Sequence, residues 1–206
     1  MYARSSTIQA QPWSIDRGIT HVNHVVMPAL SDMDGCRGMS LLVDRMSGRC
    51  IVTSSWESQE AMRASAERVS SLRDRAAEIF RGRTVVDQWQ IAVLHREHHS
   101  RPGACVRATW LRARPEQYAS AIDFYRSAVL PAIENFAGFC STSLMLDPAS
   151  ARAVASVTFD SVAAMEASAA EACSLRTAML RDLGVDQYDV GEFELAIAHL
   201  NVPVLV

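Results

Sequence analysis

Shifted by 103 residues, this sequence lies on itself. MPALSDMDGCRGMSLLVD (Met27–Asp44) aligns with LPAIENFAGFCSTSLMLD (Leu130–Asp147), and WESQEAMRASA (Trp56–Ala66) with FDSVAAMEASA (Phe159–Ala169). From Arg4 to Arg73 the register needs no gap, and 22 of 70 aligned pairs are identical. One extra residue then moves the offset to 104 and lays WQIAVLH (Trp89–His95) on FELAIAH (Phe193–His199). A duplicated segment of this size is one structural unit made twice, so the fold must be one that half the chain can specify. The repeat divides the chain into a first unit over 1–94, a linker over 95–104 and a second unit over 105–206. The linker HREHHSRPGA is polar, carries Pro102-Gly103 and has no apolar period. The second unit ends in an apolar tail, Leu200–Val206, expected to extend the sheet, cover an edge or meet a second molecule.

Each unit reads in the same order. Thr7–Gln11 and Arg107–Ala113 are short strand patterns, each followed by a proline, Pro12 or Pro115. Ile15, Ile19, Val22, Val26 and Leu30 recur every three or four residues, as do Tyr118, Ile122, Tyr125, Val129 and Ile133, which predicts one apolar stripe on a helix. Pro28 and Pro131 fall inside the last turn of that stripe and are expected to kink or end it. Gly35 and Gly138 mark the turn into strands over Met39–Asp44 and Thr142–Asp147, and β-branched runs follow at Arg49–Trp56 and Arg152–Phe159. Ser58 and Ser161 are suited to cap a second helix, with the stripe Met62, Ser65, Val69, Leu72, Ala76 and Ile79 in the first copy. Trp89–His95 and Phe193–His199 supply the fourth strand.

The pattern β-α-β-β-α-β is ferredoxin-like and α+β. A sheet with helices on one face and water on the other alternates apolar with polar residues. Ser40–Val43 (SLLV), Ser143–Leu146 (SLML) and Trp89–Leu94 (WQIAVL) are instead apolar on nearly both faces. Their second face therefore needs cover, and the other copy's sheet is the natural source. The expected fold is two tandem ferredoxin-like βαββαβ units packed sheet to sheet, an intramolecular counterpart of a dimeric α+β barrel.

Composition limits the function classes. A formal net charge of −3 provides no basic face for nucleic acid. No run of 18 apolar residues crosses a membrane, and the first residues lack the apolar core of a secretory signal. Five scattered cysteines, Cys36, Cys50, Cys105, Cys140 and Cys173, form no C-x-x-C pair and read as reduced thiols of a cytoplasmic protein.

The segment IVTSSWESQEAMRAS (Ile51–Ser65), a strand ending in Trp-Glu-Ser before an Ala-rich helix, resembles the antibiotic-biosynthesis-monooxygenase-like proteins of the dimeric α+β barrel superfamily. The sharper W-E-S-x-E-A signature is confined to the first copy; the second has FDSVAA (Phe159–Ala164). The family usually builds its barrel from two chains, so the resemblance implies a fused pseudo-dimer, with room for a further homodimer. It also implies oxygenation of aromatic polyketides without a metal or prosthetic group. One branch of the family opens haem with a first-strand Asn and a helical Trp and His. Ser65 and Arg75 fall near those helical positions, and neither first strand holds an Asn, so that route is not expected.

Pockets in such a unit lie between sheet and helices. Asn23 borders the apolar arc of Ile19 and Val26, and its repeat partner is Arg126; either offers a polar group to an oxygen-rich ligand, or extends to solvent at the arc's edge. Trp56 and Trp89 are pocket-wall candidates, although Phe159 and Phe193 at the matching places favour a core role. Trp13 and Trp110 have no aromatic counterpart and are weaker candidates. His21 and His24 are placed on the helix face away from the stripe. The linker histidines His95, His98 and His99 have a spacing that would suit zinc or copper, but no Cys or carboxylate pattern beyond Glu97 supports it, so a solvated linker is expected. Neither metal nor cofactor is expected. Two readings stay open: a cofactor-independent monooxygenase-type enzyme for a small aromatic or polyketide-like substrate, and a non-catalytic small-molecule-binding or structural protein.

Overall fold

A computed structural model describes residues 1–200 together with 204 and 205. The chain divides into two compact units, one of Met1–Gln90 with the end of the last strand from Glu194, the other of Ile91–Phe193 with the end of the tail.

In the first unit β1 (Tyr2–Gln9), β2 (Cys36–Asp44), β3 (Arg49–Trp56) and β4 (Arg83–Arg96) alternate with helices. These helices are α1 (Ile15–His21) and α2 (Met27–Ser31), then α3 (Gln59–Ala64) and α4 (Ala66–Phe80). The second unit repeats the order as β5 (Cys105–Arg112), α5 (Tyr118–Phe124), α6 (Leu130–Ile133), β6 (Phe139–Asp147), β7 (Arg152–Phe159), α7 (Val162–Ala167), α8 (Ala169–Leu183) and β8 (Asp186–Leu200). The fold is α+β with two ferredoxin-like units. The neighbour order is β4-β1-β3-β2-β8 in the first unit and β8-β5-β7-β6-β4 in the second, so the antiparallel eight-strand order closes on itself. The closing strands are β4 and β8, whose two halves belong to different units: Leu41 of β2 pairs with Ile197 of β8 inside the first.

β4 runs on through Arg96, one residue past the end of the strand expected over Trp89–His95. β1 starts at Tyr2 rather than Thr7 because Ala3, Arg4 and Ser5 are laddered to β3 on one side and β4 on the other. Polar residues there are buried but satisfied: the Trp89 indole Nε1 donates to Ser5 Oγ at 2.8 Å.

The apolar stripes form the cores. Ile15, Val22, Val26 and Leu30 are buried with Trp56, Met62 and Phe80 in one; Tyr118, Tyr125, Val129 and Ile133 are buried with Phe159 and Met165 in the other. Pro28 and Pro131 neither end nor break their helices. Each lacks an N–H, and its ring crowds the carbonyl four residues back. The helix takes a wide π turn just before it, over Val22–Val26 and Tyr125–Val129, with the Met27 N–H bonded to Val22 O and the Leu130 N–H to Tyr125 O. Ser58 and Ser161 cap as expected, accepting from the N–H of Ala61 and Ala164. Of the tail, Leu205 makes an antiparallel bridge to Leu94; residues 201–203 and 206 lie outside the described residues.

Candidate functional site

Each unit encloses a cavity between its sheet and its two helices, and the two cavities use matching residues. The first, about 30 Å³, is walled by apolar groups including Ile8, Val22, Val26 and Leu72, with Arg4 and Arg73 as its charged lining. The second, about 70 Å³, has Tyr125, Val129, Phe159 and Leu175 in its wall, with Arg107 and Arg176. The π turns place Val22 and Val26, or Tyr125 and Val129, toward these spaces, so the widened helix is part of each cavity wall. Both exceed the roughly 10–15 Å³ that one water needs. They are well below the about 300–1,000 Å³ that surrounds a drug-sized ligand.

Arg4 and Arg107 hold their guanidinium groups in the same way. The chain between α3 and α4 bends at Ser65, and between α7 and α8 at Ser168. Arg4 donates to Ser65 Oγ at 3.1 Å and to the Met62 carbonyl; Arg107 donates to Ser168 Oγ at 3.2 Å and to the Met165 carbonyl at 2.9 Å. Those carbonyls are at the ends of α3 and α7, where a cation is favoured. The charge balance differs between copies. Arg107 Nε also pairs with Glu192 Oε1 at 2.8 Å. Arg4, only 5% exposed, faces Gln88 in the strand register and has no carboxylate partner among the described residues. Burial, then the neighbouring Arg73 charge, pushes the Arg4 pKa below its usual value.

Among the described residues no His, Asp or Glu lines either cavity. The titratable oxygen present is that of Tyr125, hydrogen-bonded to Thr142 Oγ1, and burial pushes its pKa up to about 12. It is a phenol at neutral pH and not a base.

Asn23 and Arg126 do not line these cavities. Each follows a lining residue, Val22 or Tyr125, by one position, and the helix turn carries it off the cavity face; the exposed Arg126 donates to the Ala92 carbonyl at 3.3 Å. Trp56 is fully buried with its Nε1 donating to Ser54 Oγ at 3.0 Å, and Trp89 is buried on β4; neither lines a cavity, whereas Phe159 does. Trp13 is exposed, and Trp110 packs edge-on against Phe193. His21 is half-buried rather than on the solvent face, and burial, then Arg75, lowers its pKa; His24 is exposed.

The histidines 95, 98 and 99 separate. His95 stacks on Phe139 with 6.2 Å between ring centroids and sits 2.9 Å from Glu134 Oε1, while His99 is exposed. His98 instead meets two groups from distant segments, Cys140 of β6 and Asp160 just after β7. All three ligand atoms lie within 4.8 Å of one another. Cys140 Sγ is 3.1 Å from Asp160 Oδ1, and His98 Nε2 is 3.6 Å from Asp160 Oδ2.

The sequence profile of the antibiotic biosynthesis monooxygenases matches residues 1–70. Two uncharacterized proteins of Mycobacterium tuberculosis are similar along the whole chain. One is 59% identical over 207 residues, spanning all of this chain and 88% of its own length. The other is 56% identical over 206 residues, spanning all of this chain and 92% of its own. Residues 1–70 thus form an antibiotic biosynthesis monooxygenase domain, and the whole chain is one family with these two proteins. Solved structures agree on the fold. A candidate monooxygenase from Lactobacillus acidophilus superposes with a TM-score of 0.73 at 7% identity, over 97% of this chain and 96% of that one. An anthrone oxidase-like protein gives 0.66 at 13%, over 94% and 90%. A haem-degrading enzyme of Listeria monocytogenes gives 0.54 at 9%, over 95% and 99%. At these identities the likeness is one of fold alone. Among the described residues no helix is long and apolar enough to cross a membrane.

Proposed function

We propose that this chain binds a small, largely apolar molecule with an anionic oxygen edge, a phenolate, enolate or carboxylate, in the cavity between sheet and helices, which widens by outward movement of the lining helices as the ligand enters, and that the first unit prefers the anion more strongly. The observation that carries this reading is Arg4: a buried guanidinium on the rim of an apolar cavity, with Arg73 beside it and, among the described residues, no carboxylate to neutralise it. A buried cation without a counter-ion is costly, and an anionic ligand offsets that cost. In the second unit Glu192 already does so.

The antibiotic biosynthesis monooxygenase match over residues 1–70 supports a reaction, cofactor-independent oxygenation of an electron-rich ring. Two guanidinium groups lower the pKa of a bound phenol and hold it as the anion, the form that yields an electron to oxygen. Binding without turnover is the second reading, favoured by the absence of any carboxylate or imidazole among the cavity-lining residues.

Calorimetric titration of the full chain with benzoate and with its neutral isostere benzamide tests the binding. Benzoate is expected to bind about tenfold more tightly or better, a preference that Gln88→Glu removes from the first site. Equal affinity of the two, or a preference untouched by Gln88→Glu, would refute the assignment. Oxygen uptake with small phenols then separates the readings: uptake above spontaneous oxidation marks an enzyme, and binding without uptake marks a binding protein.

A further inference from the structure

We infer that His98, Cys140 and Asp160 form a binding site for a divalent transition-metal ion, zinc by the nature of the donors. One imidazole nitrogen, one thiolate sulfur and one carboxylate oxygen are a zinc-type set, softer than the all-oxygen sets that hold magnesium or calcium. Bonds of about 2.0–2.3 Å in a tetrahedron place neighbouring donors about 3.3–3.6 Å apart. Cys140 Sγ is 3.1 Å from Asp160 Oδ1 and His98 Nε2 is 3.6 Å from Oδ2, and the three ligand atoms lie within 4.8 Å of one another, so side-chain rotation brings the sulfur and the nitrogen to one carboxylate oxygen.

Three features point to a ligand rather than a chance meeting. His98 Nδ1 lies 3.1 Å from the His99 carbonyl. If that nitrogen carries the proton it donates there, which turns the lone pair of Nε2 toward Asp160; metal-binding histidines are generally oriented in this way. The backbone then fixes the approach, because the N–H of Glu97 donates to the Cys140 carbonyl at 2.9 Å and that of Asp160 to the Gly138 carbonyl at 2.8 Å. Finally, the first copy shows what the second one lacks. At the places of Cys140 and Asp160 it has Arg37 and Glu57, an ion pair at 2.7 Å. The first unit supplies its own cation there, and the second replaces the guanidinium with a thiol and brings up an imidazole. A metal ion restores the positive charge between the same two segments.

Binding forms bonds from the metal to Nε2, Sγ and a carboxylate oxygen, and the thiol proton leaves to solvent. Three protein donors leave the fourth tetrahedral position to water. The site shares no residue with the second cavity, so it stands or falls independently of the binding proposed there.

The test uses the full chain stripped with a chelator and titrated with cobalt(II), whose thiolate charge-transfer absorption reports a Co–S bond, and with zinc(II) in competition. One cobalt per chain with that absorption is expected, displaced by zinc. Cys140→Ser should abolish the band, and His98→Ala should weaken binding by about 100-fold or more, beyond the loss that follows removal of an outer partner. His99→Ala should leave both unchanged. His98 lies in the inter-repeat segment, so its variant remains informative even if Cys140→Ser misfolds; circular dichroism of each stripped variant checks this. Uptake below one metal per chain, a band that survives Cys140→Ser, or a band that disappears only with Cys173→Ser would overturn the site.

Discussion

Arg107 pairs with Glu192 at 2.8 Å, whereas its equivalent in the first copy, Arg4, faces Gln88. The cation is retained in both copies and the anion in one. Exchanging these residues should therefore shift stability in opposite directions. Glu192→Gln leaves Arg107 with only neutral acceptors and should cost about 1 kcal/mol, a modest figure because the Glu192 side chain is half exposed and screened. Gln88→Glu should stabilise by a similar amount. Urea unfolding at neutral pH, compared at low and high salt, measures both; a shift of the same sign for the two would show that the carboxylate is not what distinguishes them.

The repeat makes the architecture legible, because each element appears twice and accidents rarely recur at one offset. The strand Arg49–Trp56, the caps Ser58 and Ser161 and the helix stripes lie where the pattern puts them. The first halves of β4 and β8 were not legible. RTVVDQ has few apolar residues, and Val85 and Val86 are exposed, so its strand character comes from ladder partners rather than composition. The charged cavity lining was missed for another reason. Asn23 and Arg126 draw notice because the copies differ there, yet the lining arginines are identical in both copies: Arg4 with Arg107, Arg73 with Arg176. A charge kept on a strand that must face the core was the available signal. The His98 cluster was illegible from spacing, since its partners are 42 and 62 residues away and only the β6–β7 pairing brings them together.

Tyr125 gives a pH prediction with a definite sign. Burial raises its pKa from 10 to about 12 in the folded chain, so the folded state resists ionisation that the unfolded state undergoes near 10. The stability it lends is full below pH 10 and falls as pH rises from there through about 12. Tyrosinate absorbance should show one ring titrating late, near 12, and Tyr125→Phe should remove that step. Loss of the hydroxyl should itself cost about 1 kcal/mol, because Thr142 keeps its bond to the Ser156 carbonyl.

Two glycines separate backbone strain from collision. Gly35 has φ +75, and a Cβ there would lie 2.6 Å from Ala61 Cβ; Gly103 has φ +93 with nothing within 4 Å. Ala at 103 should cost about 1 kcal/mol, the strain of a left-handed backbone. Ala at 35 should cost that and more, about 2–4 kcal/mol, since α3 must move away. Chemical denaturation of the two variants checks the difference, and equal losses would mean that the helix gives way freely.

Trp56 and Ser54 change together between the copies. The indole Nε1 donates to Ser54 Oγ at 3.0 Å, and where Phe159 replaces the tryptophan, with no N–H to satisfy, Val157 replaces the serine. Ser54→Val alone should strand a buried indole N–H and cost about 1–3 kcal/mol. Trp56→Phe alone should cost about 1–3 kcal/mol from lost packing, against about 3–5 for Trp56→Ala. The double variant Ser54→Val/Trp56→Phe recreates the pair of the second copy and removes both polar partners at once. It should be about 1 kcal/mol more stable than the sum of the single losses predicts. A double-mutant cycle by urea unfolding measures that coupling, and strict additivity would mean that the hydrogen bond plays no part in the choice of tryptophan over phenylalanine.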